Sequence, residues 1–302
     1  MKRIFMLAFT ILLIILMTGA SCEEENNFNV SGSIIDHHCV DITKIPQDWI
    51  EEAKNTLHIG YGHTSHGAQI TYGMSGLIEF ANSRGKGLIL PENIFAFNNG
   101  GTDSALDLEE GDGYGDGWLD HDCGYYPNWI EETREYLDDP SHLDVNVIIW
   151  SWCGQVSSKY SSGVLWDQYL GPMTELEEDY PNVTFIYMTG HADINDDANN
   201  KAANDSIRSY CGNNNKWLFD FADFDHHNPD GTYYEFVNDN CDCYNMAGGT
   251  LLGNWATEWQ STHTEGVDWY STPGSHTYPI NENQKGYAAW WMWARLAGWD
   301  GE

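Results

Sequence analysis

Basic residues are scarce in this chain: 13 Lys+Arg stand against 46 Asp+Glu, a formal net charge of −33. A surface so acidic repels nucleic acid and anionic lipid headgroups, which excludes polyanion binding across a broad face. Lys159, Lys201, Arg208, Lys216 and Arg295 are scattered rather than clustered, so a strongly anionic substrate finds no basic patch. No HExxH-like spacing is present, and Cys241-Asp-Cys243 lacks the two-residue gap of zinc knuckles, which argues against those zinc sites. An internal repeat and a second domain are also missing. The acidic surplus itself fits solubility in saline surroundings.

What is present begins with a leader. Lys2 and Arg3 precede an apolar run over residues 4–17, and Thr18-Gly-Ala-Ser-Cys22 follows. A basic n-region, a short h-region and a small-residue cleavage zone make residues 1–22 an export signal rather than a spanning helix. The small residues before Cys22 resemble a bacterial lipobox, so we expect an envelope lipoprotein held by a lipid anchor, with plain secretion the alternative. Residues 23–36 read as a polar tether and 37–302 as a single catalytic domain. Apart from Cys22 there are six cysteines, Cys39, Cys123, Cys153, Cys211, Cys241 and Cys243. An even count in an exported protein predicts disulfides, with the pairing open.

Apolar runs bounded by turn signals recur at 57–61, 93–97, 145–152, 183–188 and 216–221, and read as buried parallel strands. Helical patterns lie between them at 68–82, 127–137, 164–178 and 198–211, and a last helix covers 281–296. This alternation predicts a three-layer, doubly wound α/β fold, whose sites form beyond the carboxyl ends of the strands. Polar candidates follow all five runs. The first is the most telling: Gly62-His-Thr-Ser-His-Gly67 places His63, Ser65 and His66 on a glycine-flanked turn that opens a helix. Such a turn exposes a nucleophile and leaves backbone N–H groups free for an oxyanion. Later turns carry Asn98-Asn-Gly-Gly-Thr-Asp103, Cys153-Gly-Gln155, Thr189-Gly-His191-Ala-Asp193, and Asp220 with Asp223. Ser275-His276-Thr-Tyr-Pro stands just before the last helix, where a returning catalytic imidazole belongs.

In the order of these blocks the chain resembles the SGNH (GDSL-like) hydrolases, flavodoxin-like α/β esterases and acetylesterases, over roughly residues 55–298. The resemblance implies Ser65 as nucleophile, His276 as base and then acid, and Gly101 with the Gln155 amide as oxyanion donors. The family's Gly-Asp-Ser is absent, and Pro273 stands where it carries an aspartate three residues before the last histidine. The acid behind His276 is therefore open between Asp268 and Asp223. His63 and His191 lie outside the family pattern and are further candidates. An ester, of a carbohydrate by analogy, is the expected substrate, and the serine mechanism needs no cofactor.

Other readings remain open. His63, His66, His191 and His276 with Asp193 offer enough imidazoles for a transition metal, and would serve a metal-dependent enzyme. A lyase using Tyr and His is a second alternative. A non-catalytic carbohydrate-binding lipoprotein is a third, with Trp118 and Trp255 as exposed stacking platforms. The acidic, glycine-rich run 112–122 is a candidate Ca²⁺ wrap without the EF-hand pattern.

Overall fold

The computed structural model describes residues 32–111 and 117–302. The leader, Cys22 and most of the tether lie outside these residues, as does the first part of the candidate calcium loop. No described helix is long and apolar enough to cross a membrane.

Seven parallel strands form one sheet: β1 (Ile34–Ile35), β2 (His58–Gly62), β3 (Phe97–Asn98), β4 (Leu106–Glu110), β5 (Val147–Trp150), β6 (Thr184–Met188) and β7 (Trp217–Phe219). Their spatial order is β1-β7-β6-β5-β2-β4-β3. The chain moves from β2 toward β4 on one side, and from β5 through β6 to β7 on the other. Right-handed crossovers therefore put helices on both faces, and the order reverses between β2 and β5. That reversal opens a crevice at the carboxyl ends of β2 and β5. The expected α/β architecture with a parallel sheet is thus present.

Two of the expected elements are corrected. The run 93–97 is not the second strand of the core; only Phe97–Asn98 pairs, at the sheet edge, and β4 takes the place beside β2. Its Leu-Asp-Leu-Glu-Glu alternation hides a central strand, because the acids find partners: Asp107 meets His58 at 2.7 Å, Glu109 meets Tyr136 at 2.9 Å and Glu110 meets His63 at 3.1 Å. The tether also ends earlier than expected, since Ile34 and Ile35 pair in register with Leu218 and Phe219.

The helices sort into two layers. One holds α1 (Gln47–Thr56), α2 (Ala68–Asn82) and α9 (Pro279–Leu296). The other holds α3 (Asn128–Asp138), α4 (Val156–Ser161), α5 (Gly171–Asp179) and α6 (Asp197–Asn214). Helices α2 and α9 cross at Gly73 and Gly286, where an added Cβ on Gly73 would lie 2.0 Å from the Glu282 carbonyl oxygen. Glycine is what permits that approach. Trp290 and Trp293 of α9 are buried in the core. Trp255 is buried as well, which removes it as a sugar platform, whereas Trp118 remains partly exposed.

Residues 225–245 run from the end of α7 (Phe221–His226) into β8 (Asp242–Tyr244), which pairs antiparallel with β9 (Leu251–Asn254). Helix α8 (Trp255–Thr262) follows. The expected disulfides are not formed: all six described cysteines are free thiols, five of them buried. Their even number said nothing about distance, and several pack as small apolar groups with local partners instead, such as Cys123 Sγ on the Ser151 carbonyl at 2.9 Å.

Candidate functional site

The β2/β5 crevice collects the site. The turn after β2 supplies Ser65 and His66, and the turn after β5 supplies Cys153. His66 bridges two groups: its Nδ1 lies 3.3 Å from Cys153 Sγ and its Nε2 lies 3.0 Å from Asp239 Oδ2. The Ser65 hydroxyl meets the same sulfur at 3.3 Å. Asp239 as acceptor calls for the proton on Nε2, which leaves the Nδ1 lone pair facing the thiol.

His66 is also the middle ring of a sandwich. His191 and His276 stack on it, each with ring centroids 4.0 Å away and planes within 9° and 10° of parallel. Burial, only partly offset by the hydrogen bond to Asp239 and reinforced by the two neighbouring imidazoles, pushes the His66 pKa down to about 4. The ring is therefore neutral at ordinary pH and available as a base. Asp239 is held below the usual carboxylate range: burial alone would raise it, but the His66 hydrogen bond and the imidazole charges outweigh that.

A buried network places the outer rings. Lys285, fully buried in α9, donates to Asp225 Oδ1 at 2.6 Å and to Gln69 Oε1 at 2.5 Å, and lies 3.9 Å over the Phe221 ring. Asp225 Oδ2 accepts the Ala192 N–H at 2.9 Å, beside His191, and Gln69 Nε2 donates to the Ser275 carbonyl at 2.6 Å, beside His276. Ser275 is pinned twice more: its N–H donates to Glu282 Oε1 and its hydroxyl to the Ser65 carbonyl, both at 2.6 Å. His276 itself has φ 64°, a left-handed conformation that costs a non-glycine residue about 1–3 kcal/mol and persists only where its surroundings impose it.

The structure thus brings Ser65, His276, His191 and Gln155 to one crevice, and leaves others out. Ser65 is exposed and turned to Cys153, while His276 reaches the site through its stack on His66. The Gln155 side-chain oxygen accepts the Cys153 N–H at 3.1 Å, so that oxygen holds the thiol loop. His63 points the other way, to Glu110. Gly101 is misplaced as an oxyanion donor: it follows β3 near Asp107, which is in register with His58 at the opposite end of β2. The error follows from taking 93–97 as the second core strand. Asp268 accepts from the Thr264 N–H at 2.8 Å in its own turn, and Asp223 is bound to His37 and His227. Neither supports His276. Asp193 caps its own loop through the Asn195 N–H at 2.9 Å. Asp122, at the end of the candidate calcium run, holds Thr64 Oγ1 at 2.6 Å and the Gly124 N–H at 2.9 Å.

Sequence reasoning missed Asp239 and gave Cys153 to a disulfide. The only signal for the thiol was its place at the end of the third clear strand. Asp239 lies 173 residues from His66, in a loop with no motif of its own. Neither a protein-family model nor a curated protein matches this chain.

Proposed function

We propose that the chain is an exported acyl-transfer hydrolase of the SGNH-like kind, cleaving an ester, of a carbohydrate by the resemblance, in the β2/β5 crevice. The observation that carries this reading is the unbroken line Cys153–His66–Asp239. The thiol sulfur attacks the ester carbonyl carbon as its proton passes to His66 Nδ1. The tetrahedral intermediate collapses, and His66 returns that proton to the leaving alcohol. Water then attacks the thioester and gives one proton to His66, which passes it to the departing sulfur, so the carboxylic acid leaves and the thiol and neutral imidazole are restored. Asp239 fixes the tautomer and steadies the imidazolium that forms transiently. Backbone N–H groups at the start of α2 and the Gln155 amide nitrogen face the developing oxyanion in this scheme.

A second reading keeps Ser65 as nucleophile and His276 as base, favoured by the contact of Ser275 Oγ with the Ser65 carbonyl, which seats the His276 loop on the nucleophile turn. Hydrolysis of aryl and acetylated-sugar esters by C153A and S65A separates the two. The first reading expects C153A to lose about 10³-fold or more in kcat/KM, S65A to stay within about tenfold, and the acyl group to be trapped on Cys153 by mass spectrometry after acid quench. Loss in S65A with retention in C153A hands the chemistry to the serine. No ester turnover by the intact chain removes the hydrolase reading.

A further inference from the structure

A second histidine cluster stands on the same sheet edge, at the carboxyl ends of β1 and β7, and has no part in the chemistry above. Asp36-His37-His38 follows β1, while Asp223 lies in α7 and His227 just beyond it. Asp223 Oδ2 accepts both the His37 N–H at 2.8 Å and the His37 ring Nδ1 at 2.5 Å, while His227 Nδ1 meets the Asp223 backbone carbonyl at 2.9 Å with Asp223 Oδ1 3.2 Å away. The two rings stack with centroids 3.6 Å apart and planes within 11°. His38 packs beside them, 3.9 Å from His37, and is exposed. Carboxylate–imidazole pairs are common in this acidic molecule, but among the described ion pairs only Asp223 holds two imidazoles.

We propose that this cluster is a divalent transition-metal site, with the Nε2 atoms of His37 and His227 as its core ligands and Asp223 as the residue that orients both, His37 through its carboxylate and His227 through its backbone carbonyl and carboxylate together. Because each ring gives Nδ1 to Asp223, each presents Nε2 on the side away from it, with the lone pair free for a metal. This is the arrangement in which a carboxylate behind a histidine sets its tautomer and raises its basicity as a ligand. Two nitrogens bound to one tetrahedral zinc at about 2.0–2.1 Å lie about 3.4 Å apart, close to the spacing of the two rings; the stack holds the lone pairs nearly parallel, so binding one ion turns each ring out of the stack by roughly half the tetrahedral angle. His38 and Asp36 supply further donors: Asp36, His37 and His38 can bring one ligand atom each within 4.8 Å of one another, as can His37, Asp223 and His227. Imidazole with carboxylate suits Zn²⁺ and its neighbours over Ca²⁺ or Mg²⁺. Bound there, the ion would fasten the two-residue strand β1 to α7.

Titration of the tag-free full chain with Zn²⁺ by calorimetry, and with Co²⁺ by visible absorption, tests the site. One ion per chain is expected at a Kd of about 10 µM or tighter, with a melting temperature that rises with free Zn²⁺. H37A and H227A should each weaken binding by about 100-fold or more, and D223N by about 10–100-fold. H276A should leave it unchanged, because His276 belongs to the other crevice. If H37A fails to fold, H227A carries the same test from the far side of the cluster. Wild-type affinity in both alanine variants, absence of binding at about 100 µM Zn²⁺, or loss of binding in H276A would each overturn the assignment.

Discussion

The two histidine clusters on one sheet edge use the same groups with opposite connectivity. In the β2/β5 crevice a single imidazole, His66, lies between a thiol and a carboxylate. At the β1/β7 edge a single carboxylate, Asp223, lies between two imidazoles. The first arrangement spends both nitrogens of the ring and makes a path for a proton. The second spends one nitrogen of each ring and leaves two lone pairs side by side, which one ion can gather once the rings turn out of their stack. Their protonation differs accordingly. His66 is pushed down to about 4 by burial between two further imidazoles, whereas at His227 the Asp223 hydrogen bond and charge outweigh burial and raise the pKa. Residue type alone therefore does not assign a histidine its role; the order of partners around it does.

The sharpest way to break this comparison is to change the carboxylate of the crevice. Asp239→Asn offers His66 an amide that favours the wrong tautomer, and turnover of an ester substrate should fall by about 10³–10⁴-fold. Zn²⁺ affinity at the β1/β7 edge should not move. A variant that keeps near-normal kcat would detach Asp239 from the chemistry. A smaller effect is expected behind the crevice. Lys285→Met leaves the carboxylate of Asp225 buried without its cation, and removing one partner of such a pair costs about 3–5 kcal/mol; denaturant melts should show the midpoint drop.

The pH dependence of stability should carry opposite signs at the two clusters. His66 binds its proton less readily folded than unfolded, so stability falls as pH drops from about 6.5 toward about 4, by roughly 3 kcal/mol in all. His227 is raised, so its contribution is full below about 6.5 and is lost as pH climbs through its folded value. Thermal melts from pH 4 to 8 should therefore flatten at the acid end in H66A and at the alkaline end in H227A. Rate should follow the same logic, with ester turnover holding down to about pH 4 and then falling as His66 protonates. The smallest effect is general: moderate NaCl should raise the melting temperature by screening carboxylate repulsion, since the Debye length is about 10 Å at 0.1 M. A steady fall with salt would contradict it.

Much of the scaffold was legible in the sequence. Helix α2 runs over the residues its pattern marks, and β5 and β6 lie inside the two clearest apolar runs, because buried parallel strands need continuous apolar stretches. Strand β4 was not legible, because its outward acids look like surface until His58, Tyr136 and His63 are placed against them. Helix α9 was only half legible. Its tryptophans mark a core helix, yet Asn281, Glu282, Asn283, Gln284 and Lys285 are all fully buried, where composition suggests solvent. Asp225 and Gln69, the partners of Lys285, come from 60 and 216 residues away, and Tyr270 and the Ser275 loop fold back from the segment before the helix.

The amino-acid sequence by itself determined the alternation of strand and helix, the acidic character, and the end of the sheet where the polar turn residues gather, since each follows from local periodicity or from a sum over residues. Only the tertiary structure decided that His66 faces Cys153 and Asp239, that His276 stacks on His66, and that Asp223 serves His37 and His227. A hydrogen bond is made or lost within about half an ångström. Placing a side chain that closely depends on how elements far apart in the chain pack, which no single stretch of sequence encodes.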